Sequence, residues 1–196
     1  IVPTAIGQTI VDQAKLALTE VRRVAELASE EESSVRGEVK IGVIPTIAPY
    51  IVPRFFTLQK QMFPELSVSI FEMPTSQQVP ALKRGELDIS VLATHHEDPE
   101  FLEVPIYREK LIVYASQGHP YLESRNLKRD MLFGDDLWLL RSEHCLSTQI
   151  LDICHLKGEH RACYTAGNIY TLINIVDAQG GYTIIPELHV GMLSAE

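Results

Sequence analysis

The feature of this sequence that most constrains its fold is an alternation of strand-like and helix-like segments after residue 35. In chain order these segments are Val39–Ile44, Ala48–Met62, Leu66–Phe71, Gln77–Arg84 and Leu87–Leu92. Such alternation predicts βαβ units, in which parallel strands lie side by side and helices cover the sheet. Because ligands of these sheets bind at the carboxyl ends of the strands, we expect functional residues in the loops that follow them.

A second block of mixed strands and helices begins near Glu109. The segments predicted around and within it are the strands Phe101–Ile106, Leu111–Ala115, Leu137–Leu140 and Tyr182–Ile185 and a helix over Thr171–Ala178. We therefore expect an α/β protein with two subdomains, one over residues 35–108 and one over residues 109–196.

Residues 4–32 predict one long helix that precedes both subdomains. Apolar residues recur at alternating spacings of four and three, the repeat of a coiled-coil seam. They are Ile10, Ala14, Ala17, Val21, Val24 and Ala28. Thr4 is the expected N-cap. The helix could pack on its own domain, but we favour a dimerisation helix, because nothing nearby in sequence is an obvious intramolecular partner.

Composition and charge exclude several classes of protein. The 196 residues are 45% apolar and 22% charged, which is too apolar for a disordered chain. No apolar run is long enough to predict a membrane span and no signal peptide is visible, so we expect a cytoplasmic protein. The net charge of −9 argues against a nucleic-acid surface within this stretch.

Common cofactor and metal motifs are missing from the sequence. It contains no phosphate-binding loop, no dinucleotide fingerprint and no serine nucleophile elbow, so we expect no cofactor. It also lacks the C-x-x-C and H-E-x-x-H spacings of metal sites. His95 and His96 precede Glu97 and Asp98, but adjacent residues on a loop usually face solvent. We therefore expect no metal site.

The cysteines carry the most informative chemistry. Cys145 directly follows His144, at the expected start of a helix. A neighbouring imidazolium and a helix N-terminus both favour the nucleophilic thiolate. Cys154 lies nine residues further on in an apolar helical segment, and Cys163 follows after another nine. Spacing alone leaves open whether these residues are reactive or are buried free thiols.

Several motifs resemble the effector domain of LysR-type transcriptional regulators in order and spacing. They are Gly37–Gly42, Arg84–Ile89, Gly118–Pro120 and Gly180–Pro186. The resemblance covers nearly the whole chain and implies two Rossmann-like subdomains similar to type II periplasmic binding proteins, preceded by a linker helix over residues 1–34. Pro3–Gly7 resembles the end of the family's winged helix-turn-helix. The resemblance thus implies a DNA-binding domain before this stretch and a C-terminal segment that completes the first subdomain.

Within that family the chain is most similar to the peroxide-sensing regulators. The segments that carry this similarity are Ile44–Tyr50, Glu72–Thr75 and His144–Leu146. The resemblance implies that hydrogen peroxide oxidises Cys145 to a sulfenic acid, which Cys154 resolves as a disulfide. It also implies that Thr46, Thr75 and His144 surround the peroxide.

Some residues depart from the family pattern or allow another interpretation. Thr148 stands where the family often has an aspartate, which puts a proton relay at this position in doubt. Cys163 has no family role. Thr46 and Thr75 each follow a proline, so both also suit a turn without any role in binding. Hydroxyls nevertheless fit peroxide well, because each can donate and accept a hydrogen bond.

The resemblance implies a redox switch that regulates oxidative-stress genes, and not an enzyme. The expected form is a homodimer or homotetramer. The expected partners are hydrogen peroxide, promoter DNA, RNA polymerase and a glutaredoxin- or thioredoxin-type reductant, with no membrane. Two alternatives stay open: a LysR-type regulator that binds a small organic effector between the subdomains, and a thiol peroxidase with an external reductant.

Overall fold

The computed structural model describes residues 2–29, 35–93, 98–124, 127–128, 131–132, 136–140, 145–154 and 168–193. His95, His96, Glu97, His144 and Cys163 lie outside these ranges. The chain divides into two compact units. The first contains Ile1–Val43 and Val52–Val91, and the second contains Ile44–Ile51 and Leu92–Glu196.

Helices and strands alternate along the described chain. The helices are α1 (Ala5–Ser29), α2 (Ala48–Met62), α3 (Thr75–Lys83), α4 (Cys145–Cys154), α5 (Ile169–Gln179) and α6 (Glu187–Val190). The strands are β1 (Gly37–Val43), β2 (Leu66–Glu72), β3 (Ile89–Val91), β4 (Leu111–Ala115) and β5 (Tyr182–Pro186). Within the described ranges, no helix combines the length and apolar character that a membrane crossing needs.

The first unit is built on a parallel sheet with strand order β2-β1-β3. The central strand β1 pairs along its whole length with β2, from Gly37 opposite Leu66 to Val43 opposite Glu72. On its other side, Ile41 to Val43 pair with β3. This sheet confirms the predicted βαβ units. Strands β1 and β2 end shortly before the candidate threonines, Thr46 in a turn and Thr75 at the start of α3.

Helix α1 belongs to the first unit and exposes its predicted seam. The Thr4 hydroxyl accepts a hydrogen bond from the Gly7 amide at 3.2 Å, which confirms the predicted N-cap. Lys15 donates to Glu86 at 2.6 Å and attaches the helix to its own unit. The seam residues Val21 and Val24 are 66% and 67% exposed, so the rest of the described chain does not cover them.

In the second unit, β4 pairs with β5 in antiparallel orientation, from Leu111 opposite Pro186 to Ala115 opposite Tyr182. Leu137 forms an isolated parallel bridge to Tyr182. Helix α5 begins at an N-cap, where the Asn168 side chain accepts from the Tyr170 amide at 2.8 Å. Apolar side chains from α4, α5, β5 and the segment 136–140 form the core of this unit.

Two predicted strands are not formed as expected. Residues 101–106 form none of the described strands, and Leu102 is 92% exposed. Their alternating apolar pattern is typical of a strand, but a strand also needs a neighbour, which the pattern cannot supply. Leu137–Leu140 is reduced to isolated bridge positions beside β5 instead of a full strand.

Candidate functional site

Cys145 is the first residue of α4, as the sequence predicts, and Cys154 is the last. The Cys145 side chain is half-buried. The amide groups in the first turn of a helix carry a partial positive charge, which stabilises an anion such as a thiolate at this position. The fold therefore places Cys145 where a nucleophilic sulfur is favoured.

The position of α4 is fixed by its buried face. Leu146 and Ile150 are 3% and 2% exposed and pack in the core of the second unit. Between them Ser147, which is 2% exposed, donates its hydroxyl proton to the carbonyl oxygen of Leu140 at 2.6 Å. This bond connects the first turn of α4 to the end of the segment 136–140.

The segment 136–140 is itself held against β5. The Trp138 amide donates to the Tyr182 carbonyl at 2.8 Å, and the Tyr182 amide donates to the Asp136 carbonyl at 3.0 Å. The Thr183 hydroxyl donates to the Trp138 carbonyl at 2.8 Å. A Cβ on Gly181 would lie 2.3 Å from the Asp136 carbonyl oxygen, so this close approach requires glycine. Backbone contacts with β5 thus position the segment to which Ser147 of α4 is bonded.

The side chain of Asp136 makes a further contact. Its carboxylate lies 2.8 Å from Nε2 of His119, whose Nδ1 accepts from the Tyr121 amide at 3.1 Å. Since Nδ1 accepts, Nε2 carries the ring proton and donates it to Asp136. The Gly118-His119-Pro120 motif therefore connects the end of β4 to the segment that leads to Cys145.

Thr46 lies in the tight turn between β1 and α2 and belongs to the same unit as Cys145. It is 3% exposed. The Ile44 carbonyl accepts from the amides of Ile47 and Ala48 at 3.2 and 3.1 Å, which closes the turn. The turn interpretation is consistent with this geometry.

Thr75 is the first residue of α3 and belongs to the first unit. Its hydroxyl oxygen is buried and has no hydrogen-bond partner among the described residues. A buried hydroxyl without a partner costs about 1–3 kcal/mol, so such an atom marks a position where a small polar molecule is favoured. The two candidate threonines therefore lie in different units, and Thr75 has an unused hydroxyl.

The first unit contains two further buried polar atoms that lack a partner within the described ranges, Oε1 of Gln78 and Oγ of Ser90. Gln78 lies one turn after Thr75 on α3, and Ser90 pairs with Gly42 in the sheet. A Cβ on Gly42 would lie 2.7 Å from Oε1 of Gln78, so the glycine makes room for this amide. Neither residue was expected from the sequence, although a serine inside an apolar strand could have indicated Ser90.

A buried polar cluster supports the turn that contains Thr46. The Tyr50 hydroxyl donates to Glu109 at 2.7 Å, and burial together with this carboxylate raises the pKa of Tyr50 far above its usual value. The Leu188 amide donates to the same carboxylate at 2.8 Å. His189 packs against the rings of Tyr50 and Tyr170 at centroid distances of 6.3 and 4.8 Å. These contacts join α2, Glu109 and α6 within the second unit.

No set of three or more His, Cys, Asp or Glu side chains within the described ranges is arranged to hold a metal ion. The predicted peroxide ligand His144 directly precedes α4 and lies outside these ranges.

Comparison with known proteins identifies a matching family and several similar relatives. Residues 32–196 match the protein family described as the LysR substrate binding domain. The chain is 37% identical over 188 residues to the hydrogen peroxide-inducible genes activator of Haemophilus influenzae, and 34% identical over 188 residues to the DNA-binding transcriptional dual regulator OxyR of Escherichia coli. Each alignment covers 95% of this chain and 62% of the relative, so the chain spans less than two thirds of these relatives.

Solved structures show the same similarity. The crystal structure of OxyR from Porphyromonas gingivalis aligns with a TM-score of 0.72 and 32% identity, over 81% of this chain and 73% of that one. This match confirms the expected fold class.

Proposed function

The chain belongs to the LysR substrate-binding domain family, and from this membership we propose that it is the regulatory domain of a transcription factor that responds to hydrogen peroxide. The names of the two relatives, a peroxide-inducible genes activator and OxyR, support this proposal. The observation that carries it is the position of two cysteines at the first and last residues of one helix. Such an arrangement keeps a reactive sulfur and a second thiol apart until the helix changes.

The proposed chemistry has two steps. The Cys145 thiolate attacks one oxygen of hydrogen peroxide, the O–O bond breaks, and a sulfenic acid and hydroxide form. The Cys154 thiol then attacks the sulfenic sulfur, which releases water and leaves a Cys145–Cys154 disulfide. Thr46, Thr75 and His144 bind the peroxide and stabilise the departing hydroxide, because hydroxyl and imidazole groups donate hydrogen bonds to the charge that develops.

The proposed whole protein is a cytoplasmic homodimer or homotetramer that uses this disulfide as a switch. It binds promoter DNA through an N-terminal winged helix-turn-helix, acts on RNA polymerase and is reset by a glutaredoxin- or thioredoxin-type reductant. In this proposal residues 35–108 form one regulatory subdomain, which a C-terminal segment completes, and residues 109–196 form the other. One peroxide molecule changes one domain once, so the protein is a switch and not an enzyme.

Trapping the sulfenic acid tests this proposal. Cys154→Ser removes the resolving thiol, so a stoichiometric pulse of peroxide followed by dimedone is expected to label Cys145, as read by peptide mass spectrometry. Cys163→Ser in the same background is the matched control and keeps the label. Labelling mainly at Cys163 contradicts the assignment. Sustained consumption of peroxide with thioredoxin, over many turnovers, would instead identify a thiol peroxidase.

A second candidate function is the binding of a small organic effector. The partnerless buried atoms of Thr75, Gln78 and Ser90 favour it, because an effector with several polar groups would satisfy more of them than peroxide can. A Cys145→Ser protein that still responds fully to such an effector would support this function over peroxide sensing.

A further inference from the structure

Disulfide formation between Cys145 and Cys154 requires α4 to open, which here means that its helical turns unwind. The two residues begin and end this ten-residue helix, and nine steps of about 1.5 Å place their Cα atoms about 13.5 Å apart. A disulfide needs Cα atoms within about 7 Å. If the proposed peroxide chemistry is correct, an opening of α4 therefore separates the sulfenic acid from the disulfide.

The bond from Ser147 to Leu140 is a buried directional contact that opposes this opening. Gln149 of α4 also donates to the Ala93 carbonyl at 3.2 Å, but that bond is exposed. The two residues joined by the Ser147–Leu140 bond are both 2% exposed, and the donor and acceptor oxygens are 2.6 Å apart. This bond connects Leu140, which precedes residues 141–144 in the sequence, to the first turn of α4, which follows them. Leu140 is the last residue of the segment 136–140, which hydrogen bonds hold against β5. The bond from Ser147 therefore fixes the first turn of α4 to this segment.

The apolar contacts of α4 resist opening differently. Leu146 and Ile150 are held by packing, which is not directional and tolerates small shifts. A hydrogen bond weakens steeply when its distance or angle changes. Any movement that takes Ser147 away leaves the buried Leu140 carbonyl without this donor, and a buried acceptor without a partner is costly.

We propose that Ser147 is a positioning residue that holds α4 closed and thereby sets the rate at which Cys154 reaches oxidised Cys145. It acts on the resolving step and not on the reaction of Cys145 with peroxide. This inference rests on the proposed function and adds a control point to it: the sulfenic acid persists for as long as the Ser147–Leu140 bond delays the opening.

Ser147→Ala in the otherwise unchanged chain tests the proposal. Rapid-quench mass spectrometry with dimedone follows sulfenic acid at Cys145, and the loss of free Cys154 thiol follows the disulfide. We expect the first step to change by less than about twofold and the second to become about three- to tenfold faster, as the loss of one buried hydrogen bond predicts. Amides of α4 in the reduced protein are expected to exchange with deuterium faster by a similar factor.

Two matched variants separate the hydrogen bond from helix propensity. Thr148→Ala makes a comparable change at the exposed next position; alanine favours the helix, so disulfide formation is expected to stay unchanged or become slower. Ser147→Thr keeps the hydroxyl and is expected to restore slow resolution. An unchanged second step in Ser147→Ala, equal acceleration in Thr148→Ala, or a first step slowed as much as the second is accelerated would overturn the proposal. Failure of the parent protein to form any sulfenic acid would instead refute the proposed function, while the exchange measurement still reports whether the bond holds α4.

Discussion

The hydroxyl groups of Thr46 and Thr75 are expected to accelerate the reaction with peroxide. Thr46→Val and Thr75→Val keep the shape of each side chain, and each is expected to slow oxidation of Cys145 by about 10- to 100-fold if its hydroxyl stabilises the transition state by about 1.5–3 kcal/mol. Stopped-flow measurement of thiol loss checks this. Thr57→Val is the control, because Thr57 is exposed and its hydroxyl bonds within its own helix. Unchanged rates in both variants would mean that these threonines serve only their turns.

His189 is expected to make stability depend on pH. It is fully buried, and burial lowers its pKa although Glu109 opposes this shift. Its two ring nitrogens have no partner in the described part of the chain. The folded state therefore holds a neutral ring, whereas the unfolded chain binds a proton below pH about 6.5. As pH falls below that value, the free energy of unfolding is expected to decrease by up to about 1.4 kcal/mol per pH unit, until the pH passes the lowered folded-state pKa.

Urea denaturation between pH 7.5 and 5 measures this dependence. His189→Leu removes the titrating group, so its stability should fall less steeply with decreasing pH than that of the parent protein, whatever its absolute stability. Parallel curves for the two proteins would show that another group is responsible.

At the level of single elements, local sequence patterns predicted the first and last residues of several helices and strands. The bounds of α2 and β4 match their predicted ranges, because apolar period and flanking residues determine them. The start of α4 at Cys145 was predicted for the same reason. The antiparallel pairing of β4 with β5 joins segments about 70 residues apart, which no local pattern records. The sequence also did not predict the Ser147–Leu140 hydrogen bond, since the side chain of a serine in a helix is more often exposed than bonded to a carbonyl outside its helix.

Oxidation is expected to unfold α4. If the disulfide forms, Ile150, which lies in the core of the second unit, and Leu151, which packs against that core, must lose these contacts. Loss of both costs up to about 3–6 kcal/mol, offset by the redox reaction. Hydrogen exchange should therefore show that amides 149–153 lose protection in the disulfide form, while the amides of α5 keep theirs. Equal protection of α4 in both redox states would contradict the switch, even if the peroxide chemistry is correct.

At the scale of the whole molecule, α1 has one face committed to its own unit and another available to a partner. Lys15, which binds Glu86, lies five residues after Ile10, and five steps of about 100° place it about 140° around the helix from that seam residue. Ile10, Val21 and Val24 are each more than 60% exposed on the opposite side. A second copy of this chain would cover such a stripe by coiled-coil packing.

Association should therefore depend on the seam and not on the rest of α1. Deletion of residues 1–34 is expected to weaken self-association in sedimentation experiments, although the two units could retain contacts of their own. Val21→Glu places a charge in the seam and is expected to weaken association by about tenfold or more, or about 1.4 kcal/mol, because a charge desolvated without a partner is unfavourable. Leu16→Glu makes the same change away from the seam and should have a much smaller effect. Identical association constants for the parent, the deletion and Val21→Glu would refute the seam as a dimer contact.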